Sequence, residues 1–125
     1  MTSRRRSTIA APTASTLYYP RGVALDASSP QRLYVSDYSN YRVLGFDNAP
    51  AGDAVADVVI GQASFTTNAL PAYGPNAIRA GRGLTVSPDN HLYVADSTHD
   101  RVLEFLSPYH RPPQRPRLRP ELLHG

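Results

Sequence analysis

The stretch Leu33-Tyr34-Val35-Ser36-Asp37-Tyr38-Ser39-Asn40-Tyr41-Arg42-Val43-Leu44-Gly45-Phe46 decides how this chain is read, because it returns further along. The second copy is Leu92-Tyr93-Val94-Ala95-Asp96-Ser97-Thr98-His99-Asp100-Arg101-Val102-Leu103-Glu104-Phe105. Leu, Tyr, Val, Asp, Arg, Val, Leu and Phe recur in the same order, each displaced by 59 residues (92 − 33). Upstream, Arg21-Gly22-Val23-Ala24-Leu25 matches Arg82-Gly83-Leu84-Thr85-Val86 at a displacement of 61 (82 − 21), so one turn is two residues shorter in the second copy. A fixed period marks a repeat architecture, in which each copy buries its apolar face only against a neighbour.

Working outward, each copy reads as short strands separated by polar turns. Val23-Ala24-Leu25, Leu33-Tyr34-Val35 and Arg42-Val43-Leu44-Gly45-Phe46 carry the β-branched and aromatic residues that suit a half-buried pleated surface. In the last of these, Val43 points to one face and Arg42, Leu44 and Phe46 to the other. Ala27-Ser28-Ser29-Pro30-Gln31-Arg32 and Ser36-Asp37-Tyr38-Ser39-Asn40 are turns by composition. Ala56-Asp57-Val58-Val59-Ile60-Gly61-Gln62 offers a fourth strand. Residues 63–80 hold two Pro, one Gly and two Asn and read as a long excursion with little regular structure. The second copy then supplies strands at Leu84-Thr85-Val86, Leu92-Tyr93-Val94 and Arg101-Val102-Leu103-Glu104-Phe105. The expectation is an all-β chain: one four-stranded antiparallel unit over about 18–62 and three strands of a second over about 81–106, together forming a body over 18–108. Residues 1–17, small, polar and Arg-bearing, are expected to be disordered, with order beginning near Ala14-Ser15-Thr16-Leu17 and Leu17 the first candidate for burial.

Composition narrows the classes of function. The chain has 125 residues, enough for one small domain. It has no Cys, which excludes disulfides, thiolate metal sites and Cys nucleophiles and leaves an extracellular or cell-envelope location for a parent protein open. No run approaches the ~20 apolar residues of a spanning helix, and the apolar stretch after Arg4-Arg5-Arg6 ends at Pro12, too short for a signal peptide. The formal charge of +3 resides in the ends. Between Tyr18 and Pro108 there are six Arg against eight Asp and Glu104, a net of −3 (6 − 9). A mildly acidic body disfavours nucleic acid as a partner.

The combination of Arg21-Gly22-Val23-Ala24-Leu25-Asp26, Leu33-Tyr34-Val35-Ser36-Asp37 and Asn40-Tyr41-Arg42-Val43-Leu44-Gly45-Phe46 resembles the NHL repeat, the blade unit of one class of β-propellers. The second copy fits the same pattern, with His99-Asp100-Arg101 where the family commonly shows Asn-His/Asn-Arg. Val59-Ile60-Gly61-Gln62 followed by Phe65-Thr66-Thr67 resembles the outer-strand segment of long-repeat bacterial members. The resemblance covers about residues 18–106 and implies antiparallel four-stranded blades. The repeat of about 60 residues exceeds the roughly 40–45 usual for propeller blades, and the 63–80 excursion accounts for the excess.

Residue types that recur in both copies are read as fold chemistry. Gly22 and Gly83 sit where innermost strands crowd one another and a side chain would clash. Tyr34-Val35 and Tyr93-Val94 supply packing between blades. Asp37 and Asp96 open turns, where a carboxylate accepts backbone N–H bonds. Arg42 and Arg101 follow those Asp by five residues, within reach of a charge-assisted pair across the turn. Catalytic chemistry has little footing: there is no Gly-x-Ser-x-Gly elbow, and His91, His99, His110 and His124 show no ligand spacing. No cofactor or metal is expected. Propellers commonly bind through loops at one face of the disc, and here the excursion, with Asn68, Tyr73, Asn76 and Arg79, is the candidate binding loop; packing as an edge decoration is its alternative.

These observations point to a non-enzymatic propeller fragment whose parent is a scaffold for binding a protein or a small ligand. The alternative is a fragment of a six-bladed propeller hydrolase or lyase with an axial metal, which would need carboxylates and His near the strands beginning at Gly22 and Gly83. Two blades do not close a ring that takes about four to eight, so further blades or self-association are expected. Residues 109–125 form an Arg/Pro-rich tail with two readings, a Pro-rich basic ligand or an out-of-frame segment. Shifting Arg119-Pro120-Glu121-Leu122-Leu123-His124-Gly125 by one base permits Gly-Gln-Asn-Phe-Phe-Thr, close to Gly61-Gln62-Ala63-Ser64-Phe65-Thr66.

Overall fold

The structure, a computed structural model, describes residues 11–75, 77–109 and 116–118, the last as backbone. Two four-stranded antiparallel sheets hold the strands of the described residues. The first runs β1 (Pro20–Leu25), β2 (Leu33–Asp37), β3 (Arg42–Phe46) and β4 (Val58–Ile60), in that spatial order. The second repeats it with β5 (Gly81–Val86), β6 (Leu92–Asp96), β7 (Arg101–Phe105) and β8 (Pro116–Leu118). No α-helix occurs among the described residues, and no helix there is long and apolar enough to cross a membrane.

The strands run further than the apolar runs alone suggest. β2 and β6 continue through Asp37 and Asp96, and each is followed by one turn of 3-10 helix, Tyr38–Asn40 and Ser97–His99. Each turn closes on a residue in the left-handed region, Tyr41 at φ 55° and Asp100 at φ 53°. The next strand then starts directly opposite the Asp, pairing Asp37 with Arg42 and Asp96 with Arg101. β4 is shorter than its sequence span, three residues ending before Gly61, whose φ of 98° turns the chain out of the sheet.

Residues directly opposite on paired strands share a face, so the registers sort each sheet into two sides. In the first sheet Ala24, Tyr34, Ser36, Val43, Gly45, Val58 and Ile60 share one side. In the second sheet Leu84, Val86, Leu92, Val94, Leu103 and Phe105 share one. These two sides meet. Tyr34, Val43, Ile60, Leu92, Val94, Leu103 and Phe105 are buried in one apolar cluster with Ile78, and β1 runs closest to β5. Only one residue of each Tyr-Val pair therefore packs between the sheets: Tyr34 from the first, Val94 from the second. Val35 joins a separate cluster on the other side of the first sheet, with Leu44, Phe46 and Ala56, which Ala14 and Phe65 cover.

Three boundaries differ from those read off the sequence. The expectation of disorder to residue 17 does not hold over 11–17: Ala14 accepts a 2.8 Å bond from the N–H of Ala56, and the carbonyls of Thr13 and Thr16 take bonds from Arg42. Within that segment Pro12 is buried and Ala14 packs against the apolar cluster, while Leu17 stays 45% exposed. Residues 1–10 lie outside the described residues. At the other end, Tyr109 belongs to the body. Its ring meets Tyr34 edge-on at 6.0 Å, and its hydroxyl occupies the space a side chain at Gly45 would fill. Finally, Pro116–Leu118 falls in the Arg/Pro tail yet pairs with β7, Leu103 opposite Leu118, giving the second sheet a fourth strand. Both tail readings otherwise concern 110–115 and 119–125, outside the described residues.

Candidate functional site

Chemistry-bearing side chains gather at the end of the sheets where β1 and β5 begin and where the 3-10 turns sit. Two equivalent nodes form there. In the first, Asp37 Oδ2 accepts from Arg42 Nε at 2.8 Å and from Asn40 Nδ2 at 2.8 Å, while Oδ1 accepts the Tyr18 N–H at 2.6 Å. Arg42 is fully buried and donates further to the carbonyls of Phe65, Thr13 and Thr16. One guanidinium thus ties β3 to the N-terminal segment and to the excursion. A buried ion pair is tolerable only when further hydrogen bonds satisfy its remaining donors, and this one meets that condition.

The second node copies the first with substitutions. Asp96 Oδ2 accepts from Arg101 Nε at 3.2 Å and from His99 Nδ1 at 2.8 Å, and Oδ1 accepts the N–H groups of Arg79 and Ala80. His99 fills the role of Asn40. Arg101 donates to the carbonyl of Ala77 at 2.6 Å, the residue equivalent to Thr16. Its Nη1 has no partner among the described residues, whereas the Nη1 of Arg42 has Phe65. The Tyr73 ring lies 4.6 Å from the Arg101 guanidinium and edge-on to His99 at 4.7 Å.

The excursion is therefore fastened to both nodes. Asn68 donates to Asn40 at 3.1 Å, Tyr73 covers the second node, and Arg79 contributes its backbone N–H to Asp96. Asn76 lies outside the described residues. Gln62 adds a tie of its own, donating to the carbonyls of Tyr41 and Ala69. Three of the candidate loop residues thus lie at one end of the molecule, with Tyr73 68% exposed among them.

Two groupings escaped the sequence reading. Arg21 and Arg82, equivalent positions just before the repeat glycines, converge on Tyr38: their guanidinium carbons lie 5.0 and 5.4 Å from its ring, and Arg21 is also 5.0 Å from Tyr19. Tyr19 meets Tyr38 edge-on at 6.0 Å and sits at φ 62°, a backbone region that non-glycine residues enter at some cost. Neither Arg has a carboxylate partner among the described residues. The recurrence of Arg before Gly was visible in the sequence, but Tyr19 and Tyr38 are 19 residues apart and only the fold joins them.

The second grouping lies at the opposite end. Glu104 is buried and takes bonds from Tyr93 OH at 3.0 Å and His91 Nδ1 at 2.9 Å, with Asp89 3.7 Å from the other ring nitrogen. Ser87 donates to Asp89 at 2.5 Å and holds its carboxyl below the ordinary range. Among the described residues no three His, Asp or Glu converge as metal ligands. Val23, Ala24 and Leu25 of β1 and Leu84, Thr85 and Val86 of β5 carry no ligating side chain. Comparison with protein-family models and with curated proteins finds no match to this chain.

Proposed function

We propose that this chain is a non-enzymatic portion of an NHL-type β-propeller whose parent serves as a binding scaffold for a protein or small ligand. One observation carries the reading: the node end holds charged groups of two contrasting kinds. Those repeated as Asp–Arg pairs are buried and engaged by the chain's own backbone. Beside them Arg21 and Arg82 are exposed, and their guanidinium groups lie over tyrosine rings. Arg and Tyr together suit recognition, since a guanidinium held on an aromatic face keeps its donors directed outward and loses little freedom on binding. The exposed Tyr73 at the same end widens that surface. The fold by itself gives no activity, so the residues at this end supply the reading.

The test is a peptide selection against the immobilised chain, followed by titration of the selected peptides into wild type, Tyr38→Ala and Arg21→Ser. Binding at least about tenfold weaker in both variants supports the surface, a loss ordinary for an aromatic or Arg hot spot. Equal binding by all three sinks it. Turnover of ester or phosphoester substrates that depends on added Zn²⁺, Mn²⁺ or Ca²⁺ favours the hydrolase reading instead.

A further inference from the structure

The two sheets pack head to tail, and this leaves half of the same interface open at each end. The side of the first sheet that faces the second carries Gly22, Ala24, Tyr34, Ser36 and Val43. Its equivalents in the second sheet are Gly83, Thr85, Tyr93, Ala95 and Val102, and these lie on the side turned away from the first sheet. Tyr34, Ser36 and Val43 are buried, whereas Ala95 and Val102 are partly exposed and Thr85 is exposed; Tyr93, on the same side, is bonded to the buried Glu104. The converse holds at the other end. Ile78, Leu84 and Val86 pack into the cluster between the sheets. Their equivalents, Leu17, Val23 and Leu25, are 45%, 65% and 51% exposed.

Glycine gives the sharpest sign of what belongs there. A Cβ at Gly22 would collide with the backbone carbonyl oxygen of Arg82, so the close approach of β1 and β5 requires glycine. At Gly83 the nearest atom to such a Cβ among the described residues is Ala95 Cβ at 3.8 Å, an ordinary contact, and the φ of Gly83 is not positive. Nothing in the described part of the chain uses this glycine. What its equivalent accommodates is the carbonyl of the residue before the neighbouring repeat glycine, and the residue equivalent to Arg82 is Arg21. A strand headed Arg-Gly with two alternate apolar residues after it is β1.

We infer that the open side of the second sheet docks the β1 side of another copy of this chain, with the Arg21 carbonyl of that copy over Gly83 and its Val23 and Leu25 against Thr85, Ala95 and Val102. The contact is heterologous, each copy using a different patch, so it propagates until a ring closes. It centres on the inner strands, because the β2–β3 part of the first sheet's outer side is already covered by Ala14 and Phe65.

Sedimentation velocity across a wide range of concentration tests this. The wild-type chain is expected to associate as concentration rises. Gly83→Ala, which meets only an ordinary contact among the described residues, and Val23→Glu, at an exposed site, are each expected to remain monomeric with a thermal midpoint no lower than that of the wild-type monomer. Association at least about tenfold weaker is the effect of placing a methyl or a charge in a packed contact. A one-to-one mixture of the two variants keeps one intact patch of each kind and is expected to form a dimer and stop there, which an unfolded variant would not do. A wild-type chain monomeric throughout, variants that associate as wild type does, or a mixture of folded variants that stays monomeric or exceeds the dimer overturns the inference.

Discussion

The two sheets come from one repeated sequence and share strand order and register, yet they are anchored unequally. The first node has every guanidinium nitrogen of Arg42 engaged, by three segments: its own turn, the residues before β1 and the excursion. The second has an Arg101 with one nitrogen unpartnered among the described residues and a tyrosine ring standing over it. A repeat specifies the local unit; what surrounds the unit decides how much each copied residue contributes to stability.

The largest way to break the symmetry is to remove the arginines one at a time. Arg42→Met leaves Asp37, itself wholly buried, without its countercharge and frees three backbone carbonyls. Removing one partner of a buried pair costs about 3–5 kcal/mol, and denaturant unfolding followed by circular dichroism is expected to show a loss in that range. Arg101→Met is expected to cost less, because Asp96 keeps His99 and two backbone N–H bonds and a single carbonyl is freed. Equal losses would mean that the first node gains nothing from its extra bonds.

Glycine sharpens the comparison at a smaller scale. Gly22→Ala forces β1 away from the Arg82 carbonyl, and overpacking of this kind costs about 1–3 kcal/mol. Gly83→Ala in the monomer is expected to change the unfolding midpoint little or to raise it, since alanine restricts the unfolded chain and meets only an ordinary contact among the described residues. The same substitution at equivalent positions thus costs stability at one and not at the other, and similar losses at both would contradict the open side of the second sheet.

Much of this was legible from period and alternation. The strands, their order and the sorting of Val43 against Leu44 and Phe46 follow from two copies of one pattern and a side-chain period of two. What was not legible is whatever depends on a partner distant in sequence. Leu17 reads as a buried anchor; its equivalent, Ile78, is buried between the sheets, but Leu17 is exposed, with no sheet beyond it among the described residues. Tyr109 reads as tail because the repeat has ended, although it packs where Gly45 leaves room. Pro116–Leu118 shows no strand signal, with a Pro and an Arg in three residues, and pairs because the edge of β7 is there to receive it. The Tyr19–Tyr38 grouping likewise depends on β1 and the turn after β2 meeting in space.

The smallest effect concerns pH. Tyr34 lies between the sheets, and burial raises its hydroxyl above the ordinary value of 10.0, with the nearby Asp26 carboxylate adding to the rise. Burial raises Tyr109 as well. The neutral phenol is the form that the folded chain favours, so between the ordinary value and the raised one the unfolded state binds fewer protons than the native state. The stabilisation is complete below pH 10.0 and is lost progressively as pH climbs above it. Thermal unfolding of wild type is therefore expected to fall off steeply on the alkaline side, with phenolate absorbance appearing only as the sheets separate. Tyr34→Phe, which keeps the ring and removes the proton, is expected to lower stability modestly at neutral pH and to flatten the alkaline fall. An alkaline limb as steep in Tyr34→Phe as in wild type would move the effect to Tyr109 and leave the contact between the sheets without a share in it.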